Sequence, residues 1–336
     1  MRASDISIVA SELIAQRLPL FIWGAPGIGK SSIIKKIAKD ENLNFIDLRL
    51  SLLDPTDLKG IPFFDAKSRE GVWAKPSFLP KEDDISNGIL FLDEINTAPP
   101  AVQASAYQLI LDRRVGEYIL PDGWSIVAAG NRQSDRGVIY KMPPPLANRF
   151  VHFDMEVDFD DWKVWAYRQN IDLSIIAFLE YDKSMLFRFD PKTNQKSFAT
   201  PRSWEFVDTI IQSNIPPNLL LDSISGAVGK EVAIGYISFK DIVDRLPNLN
   251  YILDGTTTTL ESYDDPKVMI AISIGLVNLL KQSSDTIHID RVLEFSLEIP
   301  SEYAIMLVRD MQYNSIVVEN SSIWDRWVEK FAYLLV

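Results

Sequence analysis

The stretch GAPGIGKS, from Gly24 to Ser31, constrains this chain more than any other feature of its sequence. It follows a short apolar run, precedes an amphipathic helical pattern and fits G-x-x-x-x-G-K-[ST] in full. Its glycines allow the backbone to wrap a polyphosphate, so that amide N–H groups and a helix N-terminus point at the anion. We therefore expect a nucleotide to be held by Gly24, Ala25, Pro26, Gly27, Ile28, Gly29, Lys30, Ser31 and Ser32.

Two side chains give this loop its chemistry. Lys30 is expected to reach the β- and γ-phosphates, and the Ser31 hydroxyl is expected to ligate Mg²⁺. The alternative is an accidental glycine-rich turn. At average residue frequencies such a pattern would arise in on the order of one chain in a hundred of this length, and the strand before it and the helix after it lower that figure further.

Short apolar runs alternate with helical stretches in the first half of the chain, which is typical of a parallel sheet covered on both faces. The runs predict strands at 19–23, 44–50, 88–93, 124–130 and 150–156, with a helix at 30–42. Two hairpins are expected as insertions, at 61–80 and 113–124. After residue 156 the patterns are helical. The expected fold is an α/β nucleotide-binding core at 1–157 followed by a helical domain at 158–336.

The charge distribution agrees with this division. Residues 1–150 hold 18 basic and 18 acidic residues, whereas 151–336 hold 16 basic and 28 acidic ones, so the net charge of −12 lies in the second part. An acidic surface is a poor match for a nucleic-acid backbone. With no cysteine, disulfides and thiolate metal sites are excluded. The longest apolar stretch, 268–280, is too short to span a bilayer and predicts a buried helix. We expect a cytoplasmic protein with no membrane insertion.

Polar residues end two of the predicted strands. In ILFLDEIN, residues 89–96, Asp93 is placed to bind Mg²⁺ and Glu94 to orient and partly deprotonate a water for attack on the γ-phosphorus. The alternative is a metal site with a helix-capping acid, hence binding without hydrolysis; we favour hydrolysis. Asn131 follows the strand at 124–130 and could hold the attacking water or the γ-phosphate, although asparagine also ends strands as a turn former.

The order of these motifs resembles the AAA+ ATPases and, within them, the MoxR-like branch. The resemblance continues through PPPLANRF, which contains Arg149, to TPRSW at 200–204. DPTDLKGIP at 54–62, followed by a hairpin, is similar to the insert that this branch has in its second helix. RRVGEYILPDGW is similar to the branch's hairpin before the sensor strand. The resemblance covers about residues 10 to 210.

It implies roles for three more residues. Asn131 matches sensor one, Arg149 matches the arginine finger that reaches the γ-phosphate of a neighbouring subunit, and Arg202 matches the sensor-two arginine. The two arginines each have an alternative: Arg149 could form an ion pair with Asp154, and Arg202 could be a surface residue of a helix begun by Pro201. Two further arginines are rival fingers, namely Arg132 and Arg136.

The resemblance also implies a hexameric ring that remodels a protein client with a partner bearing a von Willebrand factor A domain. A second hypothesis is a DNA-associated motor or loader that grips nucleic acid through Arg113 and Arg114. A third is a nucleotide-gated scaffold without obligatory turnover. The sequence does not assign a role to the residues after about 240.

Overall fold

A computed structural model describes residues 1–67, 69–81, 86–135, 140, 142–193, 195–256, 265–283 and 285–334. The chain divides into two compact units. The first is Met1–Asp158 together with Asp190–Asn194, and the second is Phe159–Phe189 with Gln195–Val336.

The first unit is built on a parallel sheet of five strands in the order β2-β5-β8-β1-β9. The strands of this unit are β1 Leu20–Trp23, β2 Asn44–Arg49, β3 Ile61–Asp65, β4 Glu70–Ala74, β5 Gly88–Asp93, β6 Arg114–Val115, β7 Tyr118–Ile119, β8 Trp124–Gly130 and β9 Val151–Asp154. The five strands expected from apolar runs are therefore confirmed. Their carboxyl ends meet at one edge of the sheet, because all the pairings are parallel.

In the described part of this unit, the α-helices beside the sheet are α1 Ala3–Ala15, α2 Lys30–Asp40, α3 Pro55–Lys59, α4 Pro100–Asp112 and α5 Pro144–Ala147. Apolar residues at helical spacing determine which face each helix buries. In α1, Ile6, Ala10 and Ile14 are fully or almost fully buried, and the Ser125 hydroxyl of β8 donates to the Ile14 carbonyl at 2.8 Å. The helices thus seal apolar strands that would otherwise face water.

Both expected hairpins are present. Strands β3 and β4 pair antiparallel, as do β6 and β7. The first hairpin carries large apolar side chains in solvent, since Ile61 is 66% exposed and Phe64 is 68% exposed. The sequence predicts its turn near Ser68–Gly71, and residue 68 lies outside the described residues. Exposed apolar surface of this kind often marks a contact with another molecule.

The second unit is helical. Its helices are α6 Phe159–Gln169, α7 Leu173–Tyr181, α8 Pro201–Gln212, α9 Pro217–Val228, α10 Lys230–Val243, α11 Asn250–Leu253, α12 Pro266–Gln282, α13 Thr286–Glu298, α14 Ser301–Tyr313 and α15 Trp324–Phe331. The apolar stretch at 268–280 lies inside α12 and is largely buried, as its pattern predicts. Within the described ranges, no helix has the length and apolar character needed to cross a bilayer. The polar, turn-rich stretch at 254–266 predicts a linker, and most of it, 257–264, falls outside the described residues.

Candidate nucleotide site

The glycine-rich loop connects β1 to α2 at the carboxyl edge of the sheet. The Gly24 N–H donates to the Gly130 carbonyl at 3.2 Å, which ties the start of the loop to the end of β8. Gly27 and Gly29 have φ values of 76° and 99°, in the left-handed region that favours glycine. These two residues let the chain turn sharply enough for α2 to begin at Lys30.

The Lys30 ammonium lies at the centre of the site. Its Nζ donates to the carbonyls of Gly24 and Ala25, at 2.7 and 2.9 Å. It also donates to Oδ1 of Asn131 at 3.2 Å, across 101 positions of sequence. The structure thus places the predicted lysine beside the predicted strand-end amide.

Asp93 and Glu94 lie at the end of the neighbouring strand β5. Burial raises the pKa of the Asp93 carboxyl above its ordinary value, and the Glu94 N–H and the Lys30 charge offset part of this effect. The Glu94 N–H donates to Oδ1 of Asp93 at 2.9 Å, and Glu94 has a φ of 57°, which is uncommon for a residue with a side chain. This tight turn directs two adjacent carboxylates to the same edge of the sheet.

Two polar residues that the motifs do not single out support this turn. The Ser51 hydroxyl, just after β2, donates to Oε2 of Glu94. The Asn96 amide, 2% exposed, donates to the Asn131 carbonyl at 2.7 Å. Asn96 holds the turn after β5 against the residue that follows β8. The sequence signal was its place in DEIN, three residues after Asp93.

Arg149 lies two residues beyond the short helix α5 and is exposed. Among the described residues, its side chain has no hydrogen-bond or ion-pair partner. Asp154, the alternative partner considered from the sequence, is bound by Arg132, whose Nε lies 3.1 Å from Oδ1. Arg132 also donates to the Met155 carbonyl at 2.7 Å, so this rival finger is held within its own unit. Arg136 falls outside the described residues.

Arg202 lies in the second unit, at the second position of α8, and is exposed. The helix start is defined by its neighbours. The Thr200 hydroxyl accepts from the Ser203 N–H at 3.0 Å, the Ser203 hydroxyl accepts from the Thr200 N–H at 2.8 Å, and Pro201 occupies the first helical position. Arg202 is therefore not needed to start the helix.

The residues present fit a nucleotide phosphate with a divalent cation. No side chain of the described residues caps the N-terminus of α2, so the first amides of that helix are available to an anion. A Cβ added at Gly29 would meet nothing within 4 Å, so the space above the loop is open. Lys30 would supply positive charge, and the Ser31 hydroxyl and the Asp93 carboxylate are oxygen donors of the kind that Mg²⁺ prefers.

Comparison with known proteins agrees with this arrangement. Residues 19–152 match the family described as "ATPase family associated with various cellular activities (AAA)". The chain is 24% identical over 152 residues to the uncharacterized protein YeaC of Bacillus subtilis (strain 168), covering 44% of this chain and 45% of YeaC. It is 28% identical over 157 residues to Midasin of Giardia intestinalis, covering 44% of this chain and 3% of Midasin. The chain thus spans less than half of either relative.

Solved structures are similar at a lower level. A putative ATPase from Cytophaga hutchinsonii superposes with a TM-score of 0.36 at 14% identity, covering 91% of this chain and 81% of that one. The RuvB Holliday junction branch migration motor of Thermotoga maritima gives a TM-score of 0.40 at 16% identity, covering 76% and 80%. The family match and the architecture of the same segment agree: residues 19–152 match this ATPase family and lie in a parallel α/β core of the AAA+ type.

Proposed function

We propose that this chain is a Mg²⁺-dependent ATPase that works as a ring and remodels a protein client. The observation that carries the proposal is the convergence of Lys30, Asp93, Glu94 and Asn131 at one edge of the sheet. A cation, a carboxylate that can bind a metal and a second carboxylate at a strand end are the parts that phosphoryl transfer to water requires.

Each residue has a distinct task in this proposal. Lys30 balances phosphate charge, and when ATP binds its ammonium exchanges protein carbonyls for phosphate oxygens. Ser31 and Asp93 hold Mg²⁺, which when bound neutralises charge that develops on the phosphates. Glu94 accepts a proton from the attacking water, and the Asn131 amide orients that water or a γ-phosphate oxygen. Arg202, by its resemblance to a sensor-two arginine, would contact the nucleotide.

The ring part of the proposal rests on Arg149. Its exposed guanidinium has no partner among the described residues, as expected of a group that acts on a neighbouring subunit. A hexamer of the MoxR-like type, with a partner bearing a von Willebrand factor A domain, is the assembly that we propose from the sequence resemblance. The exposed apolar side chains of the first hairpin, Ile61, Phe63 and Phe64, are a surface that could contact a client.

Steady-state phosphate release with matched variants tests the proposal. Lys30→Ala should abolish ATP binding and turnover, whereas Glu94→Gln should retain ATP binding and lose turnover. A Glu94→Gln protein that hydrolyses ATP at the normal rate would exclude Glu94 as the base. Client capture by Glu94→Gln in the presence of ATP, with Lys30→Ala as the control, tests remodelling separately.

The DNA-motor hypothesis loses part of its support in the structure. Arg113 is partly buried and donates to two carbonyls, of Pro121 and Trp124, at 2.7 and 2.8 Å. Arg114 is exposed and donates to the Gly116 carbonyl of its own hairpin at 3.2 Å. Of these two arginines, Arg114 is the exposed one that could face a phosphate backbone. Binding to DNA that weakens steeply with salt would revive the hypothesis.

A further inference from the structure

A row of stacked rings joins the inner strand β1 to the edge strand β9. Phe21 and His152 are partners in the parallel register of these strands. The ring centroids of Phe21 and Trp23 are 4.1 Å apart. Those of Trp23 and His152 are 6.1 Å apart, with an angle of 20° between the ring planes. The imidazole therefore lies nearly parallel to the indole of the residue that precedes Gly24, the first residue of the phosphate loop.

Both nitrogens of this imidazole are engaged. The Trp23 indole N–H donates to Nδ1 of His152 at 3.0 Å, and Nε2 of His152 lies 2.8 Å from the Ala147 carbonyl oxygen. An indole nitrogen can only donate, so Nδ1 must accept. The neutral ring then carries its proton on Nε2 and donates it to Ala147. The hydrogen-bond network assigns one tautomer, with one bond toward each neighbour.

The two bonds end at functionally different places. Trp23 is the last residue of β1, beside the loop that is expected to hold the nucleotide. Ala147 is the last residue of α5, two positions before Arg149. His152 is itself exposed, so the core does not require its ring. The ring therefore bridges the nucleotide loop and the segment that presents Arg149.

Helix α5 depends on such support. It has four residues, too few for its internal hydrogen bonds to fix its orientation alone. On one side it is anchored by Leu146, whose side chain is 1% exposed. The bond from His152 holds its carboxyl end, from which Arg149 extends. An arginine that must reach a phosphate on another subunit needs its base fixed to within a fraction of an ångström.

We propose that His152 is a positioning residue for Arg149, and that it couples the nucleotide loop of one subunit to the arginine which that subunit offers to its neighbour. This rests on the proposed function, in which Arg149 acts at the neighbour's nucleotide. A shift of Trp23 on nucleotide binding moves the donor that Nδ1 accepts from. The imidazole then transmits this movement to α5 through its bond to Ala147. His152 touches neither nucleotide and acts through Arg149.

Substitutions at position 152 test the two hydrogen bonds of the imidazole ring. His152→Phe keeps an aromatic ring in the stack and removes both bonds. His152→Gln keeps an amide N–H near the position of Nε2, able to donate to Ala147. The second histidine of the chain, His288, is a matched control, because it lies in the other unit and contacts Ser283. We expect His152→Phe to lower kcat about 5- to 10-fold with KM for ATP unchanged, which corresponds to the loss of one or two hydrogen bonds.

The conservative variant and the control sharpen this expectation. His152→Gln should recover most of the rate, and His288→Phe should leave it unchanged. If His152→Phe does not fold, His152→Gln is compared with His152→Asn. The shorter asparagine side chain can place its amide oxygen near the position of Nδ1 but does not extend to that of Nε2. Gln should then be the faster of the two, and equal or reversed rates would overturn the proposal.

A double-mutant cycle distinguishes positioning from a general structural effect. Arg149→Ala combined with His152→Phe should turn over no more slowly than Arg149→Ala alone, because no guanidinium remains to be positioned. Rate losses that multiply would overturn the proposal. Full turnover by Arg149→Ala would refute the proposed ring mechanism. An inactive Arg149→Ala together with a His152→Phe of normal activity would refute only the role of His152.

Discussion

Replacing Lys163 by Met should destabilise the second unit strongly. Lys163 is fully buried on α6, and its Nζ lies 2.5 Å from a carboxylate oxygen of both Glu180 and Asp310. These acids lie on α7 and α14, so one ammonium joins three helices. The Tyr167 hydroxyl also donates to Asp310, at 3.0 Å. Methionine retains much of the side-chain volume of lysine, so the substitution removes the charge without leaving a large cavity.

The expected cost follows from the burial of the two carboxylates. Removing one partner of a buried ion pair leaves an uncompensated charge and costs about 3–5 kcal/mol. The exposed pair of Lys240 and Asp244, at 2.8 Å on α10, is the matched control. Lys240→Met should cost no more than about 0.5 kcal/mol, because solvent screens that pair. The two variants therefore differ by several kcal/mol for the same substitution.

The pH dependence of this cost has a definite sign. Burial raises the pKa of Asp310, and Lys163 offsets part of the effect. Burial also acts on Glu180, but Lys163 and the nearby cations outweigh it and leave the pKa of Glu180 below its ordinary value. Without Lys163 both pKa values rise, so the penalty is full where the carboxylates are ionised and disappears as they take up protons. The cost should be larger at about pH 8 than at about pH 5.

Urea unfolding of each variant, followed by far-ultraviolet circular dichroism, measures these differences. Two results would refute the reasoning. One is a cost for Lys163→Met as small as that for Lys240→Met. The other is a cost that grows as the pH falls, which would mean that Lys163 does not act by stabilising ionised carboxylates.

Two further predictions concern the first unit. A Cβ at Gly130 would lie 2.4 Å from Oδ1 of Asn96, so Gly130→Ala should destabilise the protein by about 1–3 kcal/mol. Gly71→Ala is the control and should not destabilise it, because a Cβ there meets nothing within 4 Å. Equal urea-unfolding midpoints for the two variants would contradict the packing argument. Arg113→Ala should cost about 1–3 kcal/mol, because the carbonyls of Pro121 and Trp124 each lose the hydrogen bond from this guanidinium. Arg114→Ala should be nearly neutral, and the reverse order would mean that Arg114 supports the hairpin.

The sheet and the phosphate loop could be predicted from the sequence because their signals are local. A strand buried on both faces needs an apolar run, and GAPGIGKS contains its own chemistry. The supporting contacts could not be predicted in this way. Ser51 and Glu94 are bonded across neighbouring strands. The alternative considered from the sequence paired Arg149 with Asp154, whereas the partner of Asp154 is Arg132. Such pairings depend on side-chain directions that no local pattern encodes.

The burial of Lys163 could not be predicted from the charge composition. The acidic charge of the second half predicts mainly a solvated helical surface. Within α6, however, the buried residues include Phe159, Trp162, Lys163, Ala166 and Tyr167, so the lysine falls on the apolar stripe. Helical spacing already placed it there. Its two acidic partners, however, lie 17 and 147 positions away and become evident only when the helices pack.

Mixing two inactive variants tests the central claim, that Arg149 of one subunit acts on ATP held by Lys30 of the next. Arg149→Ala alone should lower turnover by roughly 10³- to 10⁵-fold while sparing ATP binding. Lys30→Ala should bind no ATP. In mixed rings, an Arg149→Ala subunit retains its phosphate loop and receives an intact arginine from a Lys30→Ala neighbour, so phosphate release should rise well above that of either variant alone. Normal turnover by Arg149→Ala alone, or no recovery in rings shown to contain both variants, would contradict the account.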